Sequence, residues 1–346
     1  MKRLILSICV VAIIASTGCD TPRDAVGSFS KIPVLIDVEE LGRVGPALSN
    51  AVEVEIRTPR KEKIFKLEYI DSTKMARLIN ARTSIIAASL KSPGPAGDFV
   101  RNALSDDAKK MVASGEYWLI AKKDLWARDQ LTIIITAPTA EDLESRLDLG
   151  GSDIFKIMND SVNERVSQWL FGKAFAEGEK TELEDSIAAG YGFGIRVPRL
   201  WEWEKGAPKE RFIWLRALEP ERWVFVWWAP LDSSMDFSVE RWRHVRDSLC
   251  AIYYEGDRVS TKMPPETTGT SIGDRPAVQI RALWENKKTA LGGPIVSFVL
   301  SDPITNRLYI VDGAVFAPAV RKEPYLRHVE IVCRSFRSDL PAFYKK

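Results

Sequence analysis

Hydrophobic and polar positions follow two different patterns in the two halves of the chain. In the first half, short apolar runs alternate with amphipathic stretches. This pattern predicts strands over 34–38, 65–70, 83–90, 117–121 and 131–136, and helices over 40–50, 72–80, 98–114 and 139–147. Strands that alternate with helices are typical of a sheet covered by helices. The N-terminal half, residues 31–176, is therefore predicted to be an α/β layer domain.

A long helix is predicted at the end of this domain. From Ile154 to Phe175, apolar residues recur every three or four positions, which is the spacing of one helical face. An acidic, glycine-containing segment follows over 177–192. Because such a composition interrupts regular patterns, the sequence predicts a domain boundary there and a second domain over 193–346.

The second half contains runs of strands closed by single helices. The pattern predicts strands over 193–197, 211–218, 223–228, 277–284, 295–300 and 308–316, with helices over 239–252 and 325–336. This order is typical of an antiparallel sheet with helices on one face. It also resembles the PsbP-like α/β/α sandwich. The predicted fold class of the whole chain is therefore α+β.

Residues 1–18 have the pattern of a signal peptide. Lys2 and Arg3 are basic, and an apolar run follows over 4–15. This run is shorter than the roughly 20 apolar residues that a helix needs to span a bilayer. A transmembrane helix is therefore not predicted.

The end of this segment resembles a bacterial lipoprotein signal, because Thr17 and Gly18 precede Cys19. The resemblance implies that Cys19 becomes a lipidated N-terminus, with residues 19–30 as a polar tether to the folded part. Ser16 departs from the usual aliphatic residue at its position. The alternative is an ordinary signal peptide followed by an incidental cysteine.

The charge of the chain is balanced once the signal is removed. The sequence has 49 basic and 47 acidic residues, and loss of Lys2 and Arg3 leaves 49 − 2 = 47 of each. A neutral chain has no field that steers it to nucleic acid. The expected partners are the membrane, through the N-terminal lipid, and an envelope protein or apolar ligand. Localisation is predicted to be the cell envelope, facing the periplasm, with inner or outer membrane left open.

Few residues of the mature chain suit a metal or a covalent reaction. Only Cys250 and Cys333 remain as thiols, and they form either a disulfide or two buried free thiols. His244 and His328 are the only histidines, whereas a zinc site needs three or four ligands. No metal or cofactor is predicted. A Ser–His–Asp triad stays open, but no nucleophile-elbow motif supports one.

Tryptophan is unusually concentrated. Eight of the eleven tryptophans lie between Trp201 and Trp284. The strand over 223–228 is apolar on both faces, which predicts a central strand covered on both sides. Trp201 and Trp203 lie between a proline and a glycine, so we expect them to be partly exposed and to contact a ligand or partner.

We expect three of the other tryptophans to be buried in the core: Trp214, Trp223 and Trp227.

Several segments resemble a family of bacterial lipoproteins of the Bacteroidetes, catalogued as domain of unknown function 4837. These segments are Lys123–Ala127, Gln130, Thr136–Pro138, Val197-Pro198, Phe212–Arg216, Gly292–Phe298, Asn306–Leu308, Asp312-Gly313, Val315–Pro318 and Tyr325–Arg327. The resemblance implies an envelope location and two parts, but no catalytic residue. We therefore expect an envelope lipoprotein that binds a ligand or protein. The alternative is a hydrolase that acts on envelope material.

Overall fold

The computed structural model describes residues 23–172, 178–231 and 238–344. The predicted signal peptide and Cys19 lie outside these residues. The chain divides into two compact units. One comprises the residues up to Val54 together with Lys63–Val162, and the other comprises Glu55–Glu62 and Asn163–Lys346.

Helices and strands alternate in the first half of the chain. In chain order the elements are β1 (Lys31–Ile36), α1 (Val38–Val52), β2 (Glu55–Ile56), β3 (Glu62–Lys63), β4 (Lys66–Ile70), a 3₁₀ turn (Ser72–Lys74), α2 (Met75–Asn80), β5 (Thr83–Ala87), α3 (Pro95–Ala103), α4 (Asp106–Ala113), β6 (Leu119–Lys123), β7 (Leu131–Ile135) and α5 (Ala140–Phe171).

The first unit is built on a five-stranded sheet in the order β4-β1-β5-β7-β6. The first four strands are parallel, and β6 joins β7 antiparallel. Every residue of β5 and β7 is buried. Strands covered on both faces by helices have this continuous apolar sequence. The predicted N-terminal α/β sheet is thereby confirmed.

Two helix boundaries in this part differ from the prediction. The helix expected over 98–114 is two helices, because the Ser105 hydroxyl accepts a hydrogen bond from the Ala108 amide and begins α4 anew. Conversely, the helices expected over 139–147 and 154–175 are one helix, α5. It continues through Gly150 and Gly151, where a methyl group would collide with Trp118 or Ala51. Close packing therefore explains these glycines in a helix.

The second unit continues with α6 (Thr181–Tyr191), β8 (Glu202–Ala207), a 3₁₀ turn (Pro208–Glu210), β9 (Phe212–Ala217), β10 (Glu221–Pro230), α7 (Val239–Tyr253), β11 (Arg258–Val259), β12 (Glu266–Ile272), β13 (Arg275–Asn286), β14 (Leu291–Asp302), β15 (Arg307–Phe316), α8 (Glu323–Arg334) and α9 (Leu340–Phe343).

The large sheet has the order β11-β13-β14-β15-β10-β9-β8, with β12 paired to β13, and all these pairings are antiparallel. The predicted C-terminal antiparallel sheet is confirmed, and with it the α+β class.

The helices lie on both faces of this sheet rather than on one. Trp242 of α7 shares a core with Ala314 of β15. A methyl group on the adjacent Gly313 would instead meet Val329 of α8. Since successive strand residues point to opposite faces, α7 and α8 cover opposite sides. This explains why β10 is apolar on both faces.

The strand expected over 193–197 does not form within the described residues. Only a bridge between Gly194 and Arg337 is present. The Arg196 amide instead donates to the Ser335 hydroxyl, and the Val197 amide donates to the Glu184 carboxylate. Backbone donors that are satisfied by side chains need no neighbouring strand.

No helix in the described parts of the chain is both long enough and apolar enough to cross a bilayer.

Candidate functional site

The two tryptophans expected at an exposed rim have different surroundings. Trp201 is only 1% exposed, so the expectation that it is partly exposed is wrong. It precedes β8 at a turn in which its amide donates to the Pro198 carbonyl, and its ring lies over a guanidinium. Trp203 is half-buried and stacks on Tyr191, with ring centroids 6.1 Å apart. The pair therefore does not present one joint surface.

Trp201 belongs to a group of five side chains that we call the Arg222 cluster. Its members are Trp169, Trp201, Arg222, Tyr325 and His328. The Arg222 Cζ atom lies 5.9 Å from the Trp201 ring centroid and 5.6 Å from that of Tyr325. The His328 ring packs 5.1 Å from Trp169 and 6.0 Å from Tyr325, centroid to centroid.

The second unit positions these side chains from four places. Trp169 lies near the end of α5, Arg222 near the start of β10, and Tyr325 and His328 one turn apart on α8. Residues three apart on a helix share a face, so α8 presents both rings to Arg222. Sequence reasoning missed this role for Arg222. The available signal is a basic residue directly before the apolar run of a strand.

Arg222 is a buried cation without a carboxylate partner among the described residues. Its side chain donates from Nη1 to His328 Nδ1 at 2.9 Å and from Nη2 to the Leu218 carbonyl at 3.4 Å. Its Nε–H is buried, and no partner for it is present in the described parts of the chain. Burial lowers the pKa of Arg222, and the nearby Tyr325 acts in the opposite direction. The group is cationic at neutral pH, because a guanidinium does not lose its proton in proteins.

Arg246, the other buried arginine among the described residues, is compensated by a carboxylate. Its Nε donates to both carboxylate oxygens of Asp312 at 3.2 Å. Burial raises the pKa of Asp312 to about 6, and the charge of Arg246 opposes this rise. No described carboxylate pairs with Arg222 in this way, so its remaining N–H groups can donate to an external anion.

His328 adds a further N–H group to the Arg222 cluster. A guanidinium only donates, so Nδ1 accepts from Arg222 and the neutral ring carries its proton on Nε2. Burial, followed by the charges of Arg222 and Arg327, lowers the pKa of His328 to about 3. The ring is therefore neutral at pH 7 and offers an N–H donor.

Two helix N-termini that are natural anion sites are already filled by the chain. Asp37 accepts from the Ala96 and Gly97 amides of α3, each at 2.8 Å. Glu62 accepts from the Lys322 and Glu323 amides at the start of α8, the shortest at 2.9 Å. Because carboxylates already occupy these positions, neither end is available to an external anion.

The remaining chemical candidates are not assembled into a reactive site. His244, Asp247 and Ser248 line a cavity of about 470 Å³, and no hydrogen bond joins their side chains in the described structure. A second cavity of about 310 Å³ is lined by Glu255, Asn286 and neighbouring polar residues. The described residues contain no cluster of three potential metal ligands.

Cys250 and Cys333 are both buried free thiols, and they lie on α7 and α8 on opposite faces of the sheet. Burial raises the pKa of Cys250 to about 12 and raises that of Cys333 well above its ordinary value. A thiol in this state is not an activated nucleophile.

Two family models match the chain. Residues 180–335 match the family described as domain of unknown function (DUF4837), which confirms the resemblance inferred from the sequence. Residues 25–170 match a different family, domain of unknown function (DUF8532). The segments between Lys123 and Pro138 therefore fall within the second match and not the first. No curated protein matches the chain.

Several solved structures are distantly similar. One is a crystal structure from Bacteroides thetaiotaomicron VPI-5482, with 9% identity and a TM-score of 0.27, where the match covers 42% of this chain and 44% of that one. LpqN of Mycobacterium tuberculosis, described as involved in cell envelope biogenesis, has 8% identity, a TM-score of 0.29 and coverage of 42% and 81%. The Saccharomyces cerevisiae Ran-binding protein Mog1p has 12% identity, a TM-score of 0.31 and coverage of 44% and 94%.

Proposed function

We propose that this protein is an envelope lipoprotein facing the periplasm, and that its C-terminal unit is a binding module for an anionic group. The observation that carries the binding proposal is Arg222. This residue is 6% exposed, and its guanidinium has an unused Nε–H donor and no carboxylate partner among the described residues.

An external anion would pair with the buried charge of Arg222. Burial of a charge is costly unless the charge is paired and hydrogen-bonded. The planar guanidinium matches a carboxylate or phosphate with two parallel N–H bonds. Among the described residues, partners are present for two of its five donors. The Trp201 and Tyr325 rings supply apolar walls that would exclude water from the pair.

Calorimetric titration of the mature chain with sodium decanoate tests the binding proposal. The chain would start at position 19 with Cys19→Ser, so that no lipid is attached. We expect Arg222→Gln to weaken binding about tenfold or more, because charge-assisted hydrogen bonds contribute about 1.5–3 kcal/mol. Arg222→Lys keeps the positive charge but lacks the two parallel N–H donors of the guanidinium. The affinity of this variant for decanoate should lie between those of the parent chain and Arg222→Gln.

Arg216→Gln is a matched control. Arg216 lies on the neighbouring strand β9, is partly exposed, and pairs with Glu221 at 2.9 Å. Its register partner is Trp223, so it lies on the opposite face from Arg222. Equal loss of affinity in Arg216→Gln and Arg222→Gln, or no binding of decanoate to the parent chain, would show that Arg222 is not the anion site.

The location proposal rests on the signal-like segment and on Cys19. Lipidation of Cys19 would hold the protein at the membrane through its acyl chains, since the mature chain has no net basic charge to do so. Cys19→Ser should move the protein from the membrane pellet to the soluble fraction. Recovery of the wild-type protein in the soluble fraction after lysis at low salt, or with its signal uncut, would contradict this location.

A further inference from the structure

We infer that the ligand of the Arg222 cluster is a free single-chain amphiphile with one carboxylate head and an acyl tail, an inference that rests on the proposed function. The relevant observation is an exposed apolar rim. Leu200 is 66% exposed, Leu218 is 62% exposed and Trp169 is 37% exposed. We call these three residues the rim, because exposed apolar residues beside a binding group extend the surface that a ligand can contact.

Each residue of this rim adjoins the Arg222 cluster, Trp169 through its ring and the two leucines through the backbone. The Leu218 carbonyl accepts the hydrogen bond from Arg222 Nη2. Leu200 immediately precedes Trp201, whose ring lies over the guanidinium. Trp169 packs on His328, which accepts from Arg222 Nη1. A cationic centre within an apolar rim is complementary to a molecule with one anionic end and one apolar end.

The local charges favour a single negative charge over a membrane surface. Glu219 is exposed and lies three residues from Arg222. This carboxylate opposes an anionic lipid surface, and stable electrostatic docking on lipid requires several basic residues together, which the cluster does not have. Arg327 is already paired with Glu323 at 2.7 Å. The cluster therefore has one uncompensated cation, which one carboxylate neutralises.

A chain-length series tests this inference. The mature Cys19→Ser chain would be titrated with sodium acetate, hexanoate, octanoate and decanoate, each below its micelle concentration. Burial of one methylene contributes about fourfold in affinity when it is complete. For a partly open rim we expect at least about tenfold tighter binding of decanoate than of hexanoate. Octanol, which lacks the charge, should bind at least about tenfold more weakly than octanoate.

Variants of the rim distinguish binding of the acyl tail from binding of the carboxylate head. Leu200→Ser and Leu218→Ser should each weaken decanoate binding about threefold to tenfold and leave hexanoate binding nearly unchanged. Ile304→Ser is the matched control, because Ile304 is 77% exposed in the β14–β15 turn and makes no contact with the cluster that the structure describes. It should leave both affinities unchanged.

The possible results are distinguishable. If all carboxylates bind with equal affinity in an Arg222-dependent manner, the anion site stands and the amphiphile inference fails. Decanoate binding that does not depend on Arg222 overturns the proposed function itself. If the chain binds phosphatidylglycerol vesicles through Leu200 and Leu218 but does not bind free decanoate, the surface docks on membranes and the inference is wrong.

Discussion

The Nη1 group of Arg222 lies 2.9 Å from Nδ1 of His328, with the rings of Trp169 and Tyr325 against the imidazole. The guanidinium can only donate, so this contact exists only while Nδ1 of the imidazole is unprotonated. Protonation would place two cations in contact in a largely buried site. The pKa of His328, lowered to about 3 by burial and then by Arg222 and Arg327, expresses this cost.

The first prediction is a loss of stability in mild acid that depends on His328. Its pKa is about 3 in the folded chain and about 6.5 in an unfolded chain. Between these pH values the unfolded chain binds a proton that the folded chain does not bind. The stability that His328 contributes is therefore fully present above pH 6.5 and is lost as the pH falls toward 3. From pH 7 to pH 5 the free energy of unfolding should decrease by about 1–2 kcal/mol through this group.

Urea denaturation at pH 7 and pH 5 measures this effect. His328→Asn keeps a side-chain acceptor for Arg222 but cannot become a cation, so the variant should lose less stability than the wild type between these pH values. Identical changes in the two proteins would show that His328 does not titrate as the structure indicates.

A second prediction concerns two glycines that both lie in strands of the same sheet. A methyl group at Gly313 would collide with Val329 and come within 3.2 Å of the Cys333 sulfur, whereas Gly269 has nothing within 4 Å of the same position. Gly313→Ala should lower the free energy of unfolding by about 1–3 kcal/mol, because a packed helix has to move. Gly269→Ala should be neutral or slightly stabilising. Comparable urea midpoints for the two variants would show that α8 does not pack closely against β15.

The third prediction tests the buried pair of Arg246 and Asp312. Both side chains are almost completely inaccessible to solvent. Arg246→Met leaves the buried Asp312 carboxylate without its cation. This substitution should lower the free energy of unfolding by about 3–5 kcal/mol. The double variant with Asp312→Leu should cost clearly less than the sum of the two single variants. A double-mutant cycle in urea gives the coupling energy, and simple additivity would show that the two charges do not interact.

The fourth prediction distinguishes the tryptophans of the sheet. Trp223 is buried in the same core as Trp242 of α7, and its ring centroid lies 5.5 Å from that of Trp284. Trp223→Ala should therefore lower the free energy of unfolding by about 3–5 kcal/mol. Trp214 and Trp227 were expected to be equally buried, but both are only partly buried beside this core. Their alanine variants should lower the free energy of unfolding less, by about 1–2 kcal/mol each. Near-neutral stability of Trp223→Ala would contradict the central position of β10.

The type of most regular elements is readable from the chain alone. Continuous apolar runs predict β5 and β7, and the two apolar faces of β10 predict a strand covered on both sides. These predictions succeed because a buried strand must be apolar wherever it meets a covering layer. Polar edge strands lack this signal. The strand β12, with the sequence ETTGTSI, is mostly exposed and was missed for this reason.

The sequence by itself thus determined the α+β class, the two sheet types, the resemblance to a family of unknown function, and the tryptophan-rich segment that contains Trp201. Only the tertiary structure decided that Arg222 meets no carboxylate in the described parts of the chain, since that depends on which side chains from α5, α8 and β10 meet. Similarly, Gly150 and Gly151 continue α5 because neighbouring side chains pack closely against them. Local pattern reflects the burial of each element, whereas the pairing of charges depends on contacts between residues far apart in the chain, and these have no periodic signature.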